Sequence, residues 1–188
     1  FSPFLPLHDG ARLAAGLWIG LALLFSALAS RELHGPRHGL VAALLLLGCL
    51  GLVVRGHQLI TDVAALAGFA MAYYGAALAL RRSAPGGFWI GTACGIIFMT
   101  QGIPEAAMVS AIAALLPLAG SHWRTPRYAA ALMVAAVAAL PWLIIWPALL
   151  YQRDPALFQA WLTAENLARF FGAHNPAAGL AYYLRILP

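Results

Sequence analysis

Six stretches of this chain are almost wholly apolar: about 11–30, 39–54, 63–80, 88–100, 103–118 and 128–150. An α-helix needs roughly 20 apolar residues to cross the hydrocarbon core of a bilayer. In lipid every backbone donor and acceptor must be paired within its own segment, which helices achieve and open sheets do not. The apolar residues fall in long blocks rather than in alternation, so the blocks read as membrane-spanning helices. Several are short for a crossing, which calls for tilt or ragged ends. The expected fold class is therefore all-α: a single domain over 1–188, a polytopic transmembrane helical bundle of about six spans, with an outer-face loop and short amphipathic helix at 151–188.

Composition agrees. Of 188 residues 63% are hydrophobic and 9% charged, with a mean hydropathy of +0.82; a soluble domain of this size needs far more charge to cover its surface. All eleven basic residues are Arg, and the net charge is +5. The arginines are scattered over loops without a basic run, which excludes a nucleic-acid binder. Cys49 and Cys94 sit in apolar blocks with no CxxC pattern or neighbouring His, as packing thiols do. The chain begins at Phe1 and stops at Pro188, and is expected to be an internal piece of a longer protein.

Short loops join the blocks at 31–38, 55–61, 81–87, 100–105 and 121–127, most of them punctuated by Gly and Pro. Six crossings place alternate loops on one side. One set carries Arg31, Arg37, Arg81, Arg82, Arg124 and Arg127 against the single acid Glu32. The other carries Arg12, Arg55, Arg153, Arg169 and Arg185 against Asp9, Asp62, Glu105, Asp154 and Glu165. The positive-inside rule puts 31–38, 81–87 and 121–127 in the cytoplasm. Five of six carboxylates then gather outside, with His8 and His57 as further polar groups. Carboxylates there suit proton transfer, metal binding or charge pairing; helix capping and solvated loops account for them as well.

Beyond the sixth block, Asp154-Pro155 has the form of a helix start, Asp as N-cap and Pro in the first turn. ALFQAWLTAENLARFFG then reads as a short helix ending at Gly172. Phe158, Trp161, Leu162, Phe170 and Phe171 suit the membrane interface. Glu165 and Arg169, four apart, share a face and can pair.

Several segments, in order and spacing, resemble a known family. They are ARLAAGLWIGLALLFSALASRELHGPRHGL, LITDVAALAGFAMAYYGAALAL with its "LTD", GTACGIIFMTQGIPEA, ALPWLIIWPALLYQRDPALFQAWLTAENLARFFG, and HNPAAGLAYYL. The chain resembles the membrane glycosyltransferases that include bacterial aminoarabinose (lipid A) transferases and protein O-mannosyltransferases. The resemblance implies an inverting transfer of a sugar from a polyprenyl-phosphate donor to a lipid, glycan or protein acceptor. It would take place at the outer face of a bacterial inner membrane, in contact with membrane lipids, with a carboxylate and often a divalent metal ion near the donor phosphate. The family's acidic catalytic motif lies in its first outer loop, upstream of Phe1, and is not in this chain.

The resemblance carries over residue by residue. Arg169 matches the arginine of the family's "RF" element and would hold the donor phosphate, to which a guanidinium fork is suited. Glu165 matches the acid of that element; it would bind metal or the sugar, or do no more than pair with Arg169. His174 matches the His ahead of the aromatic cluster, as a metal or phosphate ligand or a solvated loop residue. Tyr182 and Tyr183 match the family's tyrosine pair and would line the groove or belong to an interfacial belt. Gln101 stands where relatives carry Lys, and an amide donates a hydrogen bond without charge. Asn166 stands where several carry His, which weakens a metal site on this helix. Asp62, in the "LTD" match, is a helix N-cap or a site residue. A transporter, pointed to by the Gly102–Pro104 break, and a non-catalytic membrane scaffold are the competing readings.

Overall fold

A computed structural model describes residues 7–49 and 61–168, with the side chains of 7–9, 11 and 165 left out of the description. Apart from short turns those residues are helical, with no strand among them. We number the helices α1 (Leu7–His34), α2 (His38–Leu47), α3 (Thr61–Ala79), α4 (Ser83–Gln101), α5 (Ile103–Ala119), α6 (Pro126–Arg153) and α7 (Pro155–Ala160). A 3₁₀ turn, Ser121–Trp123, precedes α6, and α7 runs on into a wider π-helical stretch, Trp161–Leu167.

Among the described residues, three helices are long and apolar enough to cross a membrane: α1 over Arg12–His34, α3, and α6. At 1.5 Å per residue, the 28 residues of α6 span roughly 42 Å, more than a hydrocarbon core requires. Large apolar side chains point outward: Leu40, Leu45, Met133, Val137 and Ile144 are mostly exposed. Such a surface is unfavourable in water and natural in lipid. The other apolar helices are shorter, 10 residues in α2 and 17 in α5.

Two element boundaries correct the sequence expectations. The segment 81–87 was expected to be a loop, but α4 already begins at Ser83. Pro85 falls in the first turn, where a missing N–H costs nothing, and Gly86 and Gly87 are buried helical residues. The block expected at 39–54 is helical only to Leu47, where the N–H of Gly48 bonds the Leu44 carbonyl at 2.9 Å; 50–54 lie outside the described residues. Conversely α1 and α6 run past their apolar blocks by a turn or less at each end, carrying polar residues such as Arg31, His34 and Arg153 in their last turns.

The centre of the fold is α4, packed between α3 and α6, with α5 resting mainly on α4 and α1 on α3. Close approach follows from missing side chains. Gly87, Gly91 and Gly95 recur every fourth residue along α4, and a Cβ on each would run into Ala131, Ala135 or Trp142 of α6. Facing them, Ala131, Ala135 and Ala139 are buried at the same spacing. Small residues four apart on both partners let helix backbones meet, the main source of helix association where lipid removes the hydrophobic drive. Ala131, Ala135 and Ala139 of α6 thus have α4 as their partner. On the opposite side of α4, Ile97 covers Gly68 and Ile90 covers Gly75 of α3. A second cluster, Phe25, Met71, Ala93 and Ile96, joins α1 to α3 and α4.

The α5–α6 connection contains a repair. Pro117 lies inside α5 and has no N–H, so the carbonyl four residues earlier loses its helical donor. The hydroxyl of fully buried Tyr128 donates to that carbonyl, Ala113, at 2.7 Å. Arg124 Nε donates to the Pro117 carbonyl at 2.7 Å. Thr125 caps α6 by accepting from the Tyr128 N–H at 3.2 Å.

Candidate functional site

The antiparallel run of α3, α4, α5 and α6 brings the start of α3, the end of α4, the start of α5 and the end of α6 to one end of the fold. Asp62, Gln101, Glu105 and Asp154 therefore share that end, while Arg31, Arg37, Arg81, Arg82, Arg124 and Arg127 share the other.

At the acidic end, the Gln101 amide donates to the Asp62 carboxylate at 2.9 Å, across 39 residues of sequence. Asp62 occupies the first turn of α3, where the helix dipole favours a carboxylate. Both residues line a polar cleft of about 280 Å³ whose walls include Thr61, Gly102, Trp146, Trp161 and Asn166. Trp146 and Trp161 meet edge-on with ring centres 4.9 Å apart, and Phe98 closes against both.

The break between α4 and α5 is one residue wide. Gly102 adopts φ +100°, a conformation that favours glycine, and its N–H still bonds the Phe98 carbonyl at 3.0 Å. Asn166 holds this corner from the far end of the described chain. Its Oδ1 accepts from the Ile103 N–H at 2.6 Å, and its Nδ2 donates to the Trp161 carbonyl at 2.8 Å. It is buried, at 1% exposure. Asn166 thus caps α5 through its side chain from 63 residues away and ties the π-helical stretch to the helix break. Sequence reasoning weighed Asn166 only as a missing metal ligand; its structural role is invisible to local pattern.

Asp154 caps α7 as its Asp-Pro sequence foretells, accepting from the N–H groups of Ala156 at 2.9 Å and Leu157 at 3.3 Å. Cys94 packs with its sulfur 3.5 Å from the Ser110 hydroxyl.

Of the residues singled out in the sequence, Asp62 and Gln101 come together. Arg169, His174, Tyr182, Tyr183 and His57 lie outside the described residues, as do the side chains of His8, Asp9 and Glu165. Among the described residues no three His, Cys, Asp or Glu converge as metal ligands. The described cleft offers one carboxylate, Asp62, and two amides: Gln101, which donates to Asp62, and Asn166, whose oxygen and nitrogen are both engaged. That donor set does not fit a divalent metal ion.

Neither a protein-family model, nor a curated protein, nor a solved structure matches the chain.

Proposed function

We propose that this chain is the membrane part of a glycosyltransferase that moves a sugar from a polyprenyl-phosphate donor to a lipid, glycan or protein acceptor, at the outer face of a bacterial inner membrane. The observation that carries this reading is the Asp62–Gln101 hydrogen bond at the mouth of an aromatic-walled polar cleft, at the end of the fold where the carboxylates gather. A carboxylate held by an amide can orient an acceptor hydroxyl, and tryptophan faces suit sugar rings. In this reading α2, α4 and α5 also cross the bilayer, making six spans. Arg169, one residue past the described chain, holds the donor phosphate, with Glu165 beside it. In the same reading Tyr182 and Tyr183 would line the lipid or sugar groove, and His174 would contact the phosphate or a metal ion.

A transporter would use the Gly102 break differently. In transporters a half-helix N-terminus is left open to an anionic substrate. Here the first N–H of α5 is taken by Asn166, and no Asp, Glu, Arg or His is fully buried among the described residues. Both observations favour chemistry at the surface over passage through the fold.

The test is incubation of the full-length protein in vesicles with a labelled polyprenyl-phosphate sugar. Transfer to a lipid or peptide acceptor is expected; a folded protein that transfers nothing refutes the reading. Within it, Arg169→Ala weakens donor binding more than Asp62→Ala does. Equal donor affinity in the two variants removes the assignment of Arg169.

A further inference from the structure

The opposite end of the fold carries a second polar cleft, of about 330 Å³, between the end of α1, the end of α3 and the start of α4. Its walls are Glu32, Tyr74, Arg81, Arg82, Pro85 and Trp89, with Leu78 at the floor. Arg81 reaches Glu32 at 3.5 Å, yet its side chain remains 70% exposed. The cleft thus holds two guanidinium groups against one carboxylate. The surrounding end adds Arg31, Arg37, Arg124 and Arg127, all exposed, and no further acid. One carboxylate stands against six arginines, so this end carries an excess of positive charge that favours anions.

We infer that the Arg81–Arg82 cleft binds the phosphodiester headgroup of an anionic membrane phospholipid. Two guanidinium groups supply paired N–H donors to the non-bridging oxygens of a phosphodiester, the geometry in which Arg surpasses Lys. The apolar rim selects a lipid over a soluble phosphate. Trp89 packs edge-on against Phe25 inside and against Phe88 outside, with ring centres 5.0 Å and 5.4 Å apart. Phe88 itself is half exposed, so the aromatic wall of the cleft continues directly onto the outward apolar surface. Trp and Tyr at such a junction sit at headgroup depth, with acyl chains below them. Basic pockets between transmembrane helices bind anionic headgroups in this way. The inference needs the helices to lie in a bilayer; it is independent of the sugar-transfer reading.

The experiment uses the full-length protein in nanodiscs of phosphatidylcholine mixed equally with phosphatidylglycerol. The readout is the lipid retained after detergent stripping, counted by native mass spectrometry. The wild type retains phosphatidylglycerol in preference to phosphatidylcholine. Arg81→Gln/Arg82→Gln retains it on the order of 30-fold less tightly, at about one headgroup–arginine contact per substitution. Arg37→Gln/Arg127→Gln removes the same charge from the same end outside the cleft and keeps the preference. Glu32→Gln, which takes out the competing carboxylate while leaving both arginines, binds at least as well as wild type. Soluble glycerol phosphate does not displace the lipid. Equal losses in the two double variants reduce the effect to diffuse charge and overturn the inference. So does unchanged retention in Arg81→Gln/Arg82→Gln, weakened retention in Glu32→Gln, or displacement by glycerol phosphate.

Discussion

The side-chain oxygen of Asn166 accepts a hydrogen bond from the Ile103 N–H at 2.6 Å, so the last described turns of the chain cap a helix that begins 63 residues earlier. Asn166→Ala leaves that N–H and the Trp161 carbonyl without their side-chain partner in a buried place. The loss of such bonds costs about 1–3 kcal/mol each at most. Thermal unfolding in detergent should show a clear drop in midpoint. Asn166→Asp keeps the acceptor but sacrifices the donor and buries a charge, so it should be no better than alanine. A midpoint unchanged in both variants would mean that the corner is held by other contacts.

The proline repair in α5 is testable as a cycle. Tyr128→Phe removes the hydroxyl that serves the Ala113 carbonyl and should destabilise by about 1–2 kcal/mol. In a Pro117→Ala background residue 117 supplies its own N–H to that carbonyl, and Tyr128→Phe should then cost much less. Additive effects of the two substitutions would show that hydroxyl and proline are not coupled.

The glycine stripe of α4 separates two kinds of glycine. Gly91→Val drives methyl groups into the Ala135 carbonyl and should force α4 and α6 apart, costing about 3 kcal/mol or more by overpacking. Gly20→Val, where nothing lies within 4 Å, should be tolerated. Chemical unfolding of both variants in the same detergent checks the contrast. Comparable losses would show that helix propensity, not helix contact, sets the penalty.

The length of α6 makes a topological prediction. In a background carrying Cys49→Ser and Cys94→Ala, single cysteines can be placed at Ser121, ahead of α6, and at Gln152, in its last turn, both exposed positions. In intact membranes an impermeant maleimide should label them from opposite sides. Labelling of both from one side would show that α6 does not cross.

The helical fold class was legible in the sequence because long apolar blocks are satisfied by helices, and three of the six expected blocks form helices long and apolar enough to cross a membrane among the described residues. The Asp154 cap and the Gly102 break were also readable, since both depend on residues within a few positions. The glycine stripe was not. Gly87 fell in a segment read as loop, because Gly and Pro signal turns in water, whereas between membrane helices Gly signals contact. A spacing of four through Gly87, Gly91 and Gly95 was the available signal. At the candidate site the sequence singled out Asp62 and Gln101 separately, and only folding joins residues 39 apart. Asn166 had no local signature at all: its partners are a backbone N–H in another helix and a carbonyl in its own stretch.

The bare flanks of α4 bear on how such a chain is made. α4 has 19 residues but is not among the three helices apolar enough to cross on their own merits. Delivered singly from a ribosome, it would give an insertion channel little reason to release it sideways into lipid. Handed over together with α3 as a hairpin, it arrives with its contacts already satisfied on one side, and α6 completes the other when synthesis reaches it. In the six-span reading proposed above, retention of α4 in the bilayer is therefore a property of its companions, acquired in order as the chain emerges.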